Sequence, residues 1–228
     1  MATPVLPSGA RIQLALDRTS LRESLTLLGT LAGRPSRVEV GTPLFLSEGA
    51  EAIRAVREAM GPGVTVVADA KICDAGERIA SFAFDAGADV VTVIGAVISD
   101  KSWAGVVSAA SAAGPSSRIM IDAIGWEVDE SVLARRLDTA AAAGIEVELC
   151  AHRHGEAMPA EFEQLAASLA SAPALTRIVA GSISAGEARP AVDAGFDILI
   201  VGSGIQDSLD PVAAWNNFVD HLDSAVTA

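Results

Sequence analysis

Short β-branched runs alternate with longer Ala-rich amphipathic segments along the whole chain, and this rhythm restricts the fold more than any other feature. The candidate strands are RIQLALD (11–17), SRVEVG (36–41), VTVVADAK (64–71) and DVVTVIG (89–95), then RIMIDAIG (118–125), IEVELCA (145–151), LTRIVAG (175–181) and DILIVG (197–202). Between them lie helical patterns such as SLRESLTLLGTLAG, SEGAEAIRAVREAM, AGERIASFAFDAG and ESVLARRLDTAAAAG. Gly87, Gly144 and Gly195 fall just before the next strand, as helix-ending glycines do. Eight strand–helix units without a long linker predict an α/β fold, a single (β/α)8 (TIM) barrel over residues 1–228, closed by the helix DPVAAWNNFVDHLDSAV. An open doubly wound sheet is the alternative. Against it, no GxGxxG follows the first strand, and eight regular repeats exceed what such a sheet needs.

Half of the 228 residues are hydrophobic, enough for a large core without staples. The formal net charge of -13 repels nucleic-acid phosphates and anionic lipid, so neither is an expected partner. An anionic substrate then needs local positive potential or a bound metal. Cys73 and Cys150 are far apart and form no CxxC pair, which suits a reducing cytosol. The opening MATPVLPSGARIQLALD lacks the basic and apolar regions of a signal peptide, and the apolar stretch DVVTVIGAVI is too short to span a bilayer. The expectation is a soluble cytoplasmic protein.

In a (β/α)8 barrel the chemistry sits where the strands end. Here those ends carry Asp17, Glu39, Asp69 with Lys71, Asp122 and His152. Any one alone reads as a loop-facing charge or a cap, and Asp74 as a cap of the helix that follows it. Together they converge on one mouth. Alternation places Asp69 and Lys71 on the same side of the third strand, where carboxylates keep the lysine charged. Glu39 and Asp69, on adjacent strands, are placed to share a hard cation, and Mg²⁺ suits two carboxylates plus substrate oxygens and water better than zinc. Cys150, His152 and His154 alternate along one strand, but three such ligands diverge too widely to close a tetrahedral site. His152 reads as an acid–base group at the rim, or as a histidine bonded to a loop carbonyl.

The pieces VAGSIS (179–184) and VGSGIQD (201–207) follow the seventh and eighth strands, the usual phosphate site of this architecture. Backbone N–H groups around Ala180, Gly181 and Gly202, with the hydroxyls of Ser182 and Ser203, are the expected substrate donors. Simple tight turns are the other reading of these glycines.

The elements ALD (15–17), EVGTPL (39–44), ADAKICDAGE (68–77), ADVVTVIG (88–95), AHR (151–153) and VAGSI (179–183) resemble the orotidine 5'-phosphate decarboxylase superfamily. More narrowly they resemble its branch of 3-hexulose-6-phosphate synthase and 3-keto-L-gulonate 6-phosphate decarboxylase. The nucleotide decarboxylase carries a lysine where this chain has Glu39, so orotidine phosphate is not the expected substrate. The resemblance implies Mg²⁺ on Glu39 and Asp69, substrate binding by Asp17, oxyanion stabilisation by Lys71 and proton transfer by His152. It also implies a homodimer in which Asp74 reaches the neighbouring active site. Within the branch, Asp122, Gly155 and Ala180 follow the synthase pattern, whereas ADAKICDAGE reads more like the decarboxylase. Ser203 stands where the family has an arginine.

The expected function is thus a Mg²⁺-dependent lyase that forms a cis-enediolate of a phosphorylated ketose. The expected reaction is the aldol addition of ribulose 5-phosphate to formaldehyde and its reverse, with decarboxylation of 3-keto-L-gulonate 6-phosphate to xylulose 5-phosphate as the alternative. A pentulose-phosphate epimerase, which uses histidines where this chain has Glu39 and Asp69, and a non-catalytic sugar-phosphate sensor are the rival readings.

Overall fold

The eight apolar runs form eight parallel strands: β1 (Ile12–Leu16), β2 (Arg37–Val40), β3 (Thr65–Ile72), β4 (Val90–Ile94), β5 (Arg118–Asp122), β6 (Glu146–His152), β7 (Thr176–Ala180) and β8 (Ile198–Val201). Each pairs with the next, and β8 returns to β1 through Ile12↔Leu199, so the sheet closes into a barrel. The computed structural model describes residues 6–153, 159–168 and 175–224. The helices are α1 (Leu21–Thr30), α2 (Thr42–Glu48), α3 (Ala50–Met60), α4 (Gly76–Asp85), α5 (Asp100–Ala113), α6 (Glu130–Ala142), α7 (Pro159–Ser168), α8 (Ala185–Asp193), α9 (Ser203–Gln206) and α10 (Pro211–Asp223). The expected (β/α)8 barrel is therefore the observed one.

Local chemistry sets the boundaries. Ser20, Ser99, Asp129 and Asp210 accept backbone N–H groups at the starts of α1, α5, α6 and α10. Gly87, Gly144 and Gly195 take φ of +103°, +73° and +101°, the left-handed turn that ends a helix at low cost to glycine. One boundary differs from the sequence reading. The pattern SEGAEAIRAVREAM is not one helix, because Gly49, at φ +62° and ψ -143°, separates α2 from α3.

Two apolar clusters result. The larger lies between sheet and helices and includes the buried Trp103, Phe162 and Phe196. The smaller packs side chains that face the barrel axis, among them Val67, Val90, Met120, Cys150 and Ile178. Nearer the strands' N-terminal ends the interior is ionic. Arg37 on β2 holds both oxygens of Glu148 on β6, with Nη1–Oε1 at 2.9 Å, and Arg118 on β5 donates to the same Oε1 from 3.1 Å. Arg37 Nε also donates to Gln13 on β1. Charges buried to this depth persist only when paired and hydrogen-bonded, which this ladder provides. Among the described residues no helix is long and apolar enough to cross a membrane.

Candidate active site

The C-terminal ends of the strands enclose a cavity of about 380 Å³. Asp17, Glu39, Asp69, Lys71, Asp122 and His152 all line it. Ala180, Gly181, Ser182, Gly202 and Ser203 form another part of its wall, where the glycine pieces put them. Asp74 alone among the expected site residues lies elsewhere. It lines a separate hollow with Glu77, Ser99 and Lys101, and its Oδ1 accepts from the adjacent Ala75 N–H at 2.7 Å rather than capping α4. His154 and Gly155 lie outside the described residues.

Lys71 lines the cavity from a bulged stretch of β3. The β3–β4 register shifts between Ala68 and Ile72, and Lys71 sits at φ +43°, a left-handed conformation that strains a non-glycine residue. Thr92 on β4 stabilises the distortion by accepting the Lys71 N–H at 2.8 Å. The ammonium lies 3.2 Å from Asp69 Oδ1 and 2.8 Å from Asp122 Oδ2. Burial pushes the lysine toward its neutral form, but Asp69 and Asp122 outweigh it and hold its pKa above the usual range. It stays a cation at any working pH.

Asp122 joins Lys71 to His152. Its other oxygen, Oδ1, lies 2.7 Å from His152 Nδ1 and also takes the Ile124 N–H at 2.9 Å. Burial would raise this carboxyl, yet His152 and Lys71 hold it below its ordinary value. An ionised carboxylate can only accept, so Nδ1 of the neutral imidazole carries the hydrogen and Nε2 keeps its lone pair. In that tautomer Nε2 is an acceptor, and the partner of Nδ1 is a carboxylate rather than a loop carbonyl.

Asp69 is held by three donors: Thr42 at 2.6 Å on Oδ2, Thr92 at 2.8 Å on Oδ1, and Lys71. Asp17 sits in a slot made by two glycines. A Cβ on Gly41 would stand 2.1 Å from its Oδ1, and one on Gly202 would stand 2.5 Å from its Oδ2. Gly202 therefore shapes the wall by what it lacks. Burial and the neighbouring Asp69 raise Asp17, with Lys71 opposing.

Glu39 is 5% exposed, and burial, Asp69 and Asp17 together push its carboxyl well up, against the Gln13 hydrogen bond and Lys71. Four carboxylates thus face one lysine and one histidine, a surplus of negative charge that a hard cation would neutralise. Among the described residues no group of three or more His, Cys, Asp or Glu is arranged to hold a metal alone. A two-carboxylate set still fits Mg²⁺, which keeps water and substrate oxygens in its octahedron. Asp69 uses three of roughly four acceptor positions and so retains one. Soft-metal chemistry is a poorer match, since burial raises the Cys150 thiol and keeps it protonated.

Sequence reasoning missed Thr42, Thr92 and Gln206, which also line the cavity, and Gln13 behind them. Thr92 and Gln13 had a signal, since each is the one polar residue in an otherwise apolar strand, VVTVI and IQLAL. Gln206 Oε1 accepts the Asp17 N–H at 3.2 Å from α9, a contact no local pattern announces.

Comparison with known proteins finds similar chains. A 3-hexulose-6-phosphate synthase of Mycobacterium gastri is 35% identical over 205 residues, 90% of this chain and 95% of that relative. The crystal structure of 3-hexulose-6-phosphate synthase from Salmonella typhimurium superposes with a TM-score of 0.77 at 30% identity, covering 93% of this chain and 98% of that one. The KGPDC of Streptococcus mutans gives a TM-score of 0.79 over 93% and 97%, but at 21% identity it speaks to the fold alone. Residues 10–218 match the family model described as orotidine 5'-phosphate decarboxylase / HUMPS family. With its barrel, its Asp69–Lys71–Asp122 charge cluster and these matches, the chain belongs to the orotidine 5'-phosphate decarboxylase / HUMPS family.

Proposed function

We propose that this protein is a Mg²⁺-dependent 3-hexulose-6-phosphate synthase, a lyase that adds ribulose 5-phosphate to formaldehyde and catalyses the reverse cleavage. The observation that carries the reading is Asp122 bridging Lys71 at 2.8 Å and His152 at 2.7 Å inside one cavity. That bridge places a fixed cation and an oriented base side by side, as deprotonation next to a carbonyl requires.

The phosphate of the pentulose lies against Gly181, Ser182 and Ser203, and Asp17 accepts hydrogen bonds from sugar hydroxyls. His152 Nε2 takes a proton from C1, and the C–H electron pair passes into a cis-enediolate whose developing negative charge faces Lys71. C1 then bonds to the formaldehyde carbon, and the new alkoxide takes the proton back from His152. Glu39 and Asp69 are the residues that would hold Mg²⁺, and the bound ion would supply positive charge to stabilise the developing enediolate. Loss of Lys71 is expected to lower kcat by roughly 10²- to 10³-fold.

A second reading, decarboxylation of 3-keto-L-gulonate 6-phosphate, has ADAKICDAGE in its favour and uses the same charges on a similar enediolate. Identity of 30% or more to synthases over most of the chain favours the first. The place of Asp74 outside its own cavity supports a homodimer in which it completes the partner's site. The exposed Leu46, Phe82 and Val97, from three successive units of the barrel, give such a dimer apolar surface to bury. Cys73 and Cys150 are free thiols, in keeping with a reducing cytoplasm. The deciding assay incubates purified protein and Mg²⁺ with ribulose 5-phosphate plus formaldehyde, and separately with 3-keto-L-gulonate 6-phosphate. Hexulose phosphate in the first supports the proposal, and turnover only in the second, or in neither, rejects it.

A further inference from the structure

One buried side chain touches Glu39 from behind the cavity without lining it. Gln13 is 0% exposed and donates from Nε2 to Glu39 Oε2, while its Oε1 accepts Arg37 Nε. The second contact decides the first. Guanidinium nitrogens only donate, so the amide oxygen must face Arg37 and the NH₂ must face Glu39. Arg37 cannot turn away, because its Nη groups bond both oxygens of Glu148, which Arg118 also holds at 3.1 Å. The order Arg118, Glu148, Arg37, Gln13, Glu39 therefore runs from the ionic floor of the barrel to the catalytic mouth, with every direction of donation fixed.

We infer that Gln13 is a positioning residue for the cation site. It anchors one oxygen of Glu39 and sets the carboxylate plane, and the floor ladder fixes the amide that does so. Residues behind metal ligands orient them and commonly govern affinity as strongly as a ligand does. The inference rests on the reading of Glu39 and Asp69 as the Mg²⁺ ligands, and its test separates the two.

Mn²⁺ replaces Mg²⁺ as the probe, with free ion followed by electron paramagnetic resonance, beside thermal unfolding and the Mg²⁺ dependence of turnover. Gln13→Met keeps the volume and removes the amide. It is expected to weaken Mn²⁺ binding at least tenfold and to raise the Mg²⁺ needed for half-maximal rate in step, with activity recovering at high Mg²⁺. The double variant Arg37→Met/Glu148→Met keeps Gln13 but frees its amide to rotate, and it too is expected to weaken Mn²⁺ binding, by a smaller factor. It also covers the case in which Gln13→Met does not fold. Wild-type Mn²⁺ affinity in whichever of these variants folds overturns the inference, even if the variant is less stable. Absence of Mn²⁺ binding by the wild-type protein overturns instead the metal reading beneath it.

Discussion

Arg37→Met tests the ionic floor of the barrel in quantitative terms. The Glu148 side chain is 1% exposed and is held by Arg37 through two bonds and by Arg118 through one. Removing Arg37 leaves that carboxylate buried on a single donor that is itself partly open to solvent, with a side chain 24% exposed. It also leaves the Gln13 carbonyl without its donor. Breaking a buried pair by deleting one partner costs about 3–5 kcal/mol, and the apolar volume of methionine offsets little of it. In a chain of this size each kcal/mol moves Tm by about 2–4 °C, so a fall of roughly 10 °C is expected. Deleting both charges is different in kind. Arg37→Met with Glu148→Met removes the stranded anion, and most of the loss should return, giving a coupling energy of about 2 kcal/mol or more. The assay is a double-mutant cycle by circular dichroism at neutral pH with all four proteins. A Tm for Arg37→Met within about 2 °C of wild type, or single effects that simply add, would refute the claim that the ladder is mutually dependent.

Gly202→Ala places a methyl group 2.5 Å from Asp17 Oδ2, with its other nearest neighbours at 3.5 Å or more, so kcat/KM should fall at least tenfold for a loss of only a few degrees in Tm. A variant of unchanged activity would show that Asp17 does not need its slot. Mixing Lys71→Ala and Asp74→Ala subunits, each expected to be inactive alone, tests the proposed shared site. Random reassortment of a two-fold dimer should restore about a quarter of wild-type activity, and no recovery after confirmed exchange would place Asp74 outside the partner's chemistry. Asp122 is held below its ordinary value of 3.8, so it contributes stability above that pH and loses it as pH falls through the lower folded value. The Tm difference between wild type and Asp122→Asn should therefore shrink below about pH 4, and a pH-independent difference would contradict the pairing with Lys71 and His152.

All eight strands and the place of the mouth were legible because apolar periodicity and closing glycines are local properties, as in RIQLALD and around Gly87. The convergence of Asp17, Glu39, Asp69, Lys71, Asp122 and His152 followed from strand ends alone. The bulge at Lys71 was not legible, since it depends on the pairing of β3 with β4 and on Thr92 across the ladder. Gln13, Arg37, Arg118 and Glu148 face inward by simple alternation, but alternation does not say that side chains from four strands meet across an axis. The break at Gly49 was hidden because the residues on both sides of it are good helix formers.

The proposed role of the bridge from Lys71 through Asp122 to His152 is to create and hold an enediolate before formaldehyde arrives. Hydrogen exchange at C1 of ribulose 5-phosphate in D₂O, followed by proton NMR with enzyme and Mg²⁺ but without formaldehyde, reads that step alone. Wild-type protein is expected to lose one C1 proton signal, and His152→Ala to retain it. Retention with the wild-type protein, or exchange undiminished in His152→Ala, would contradict that role.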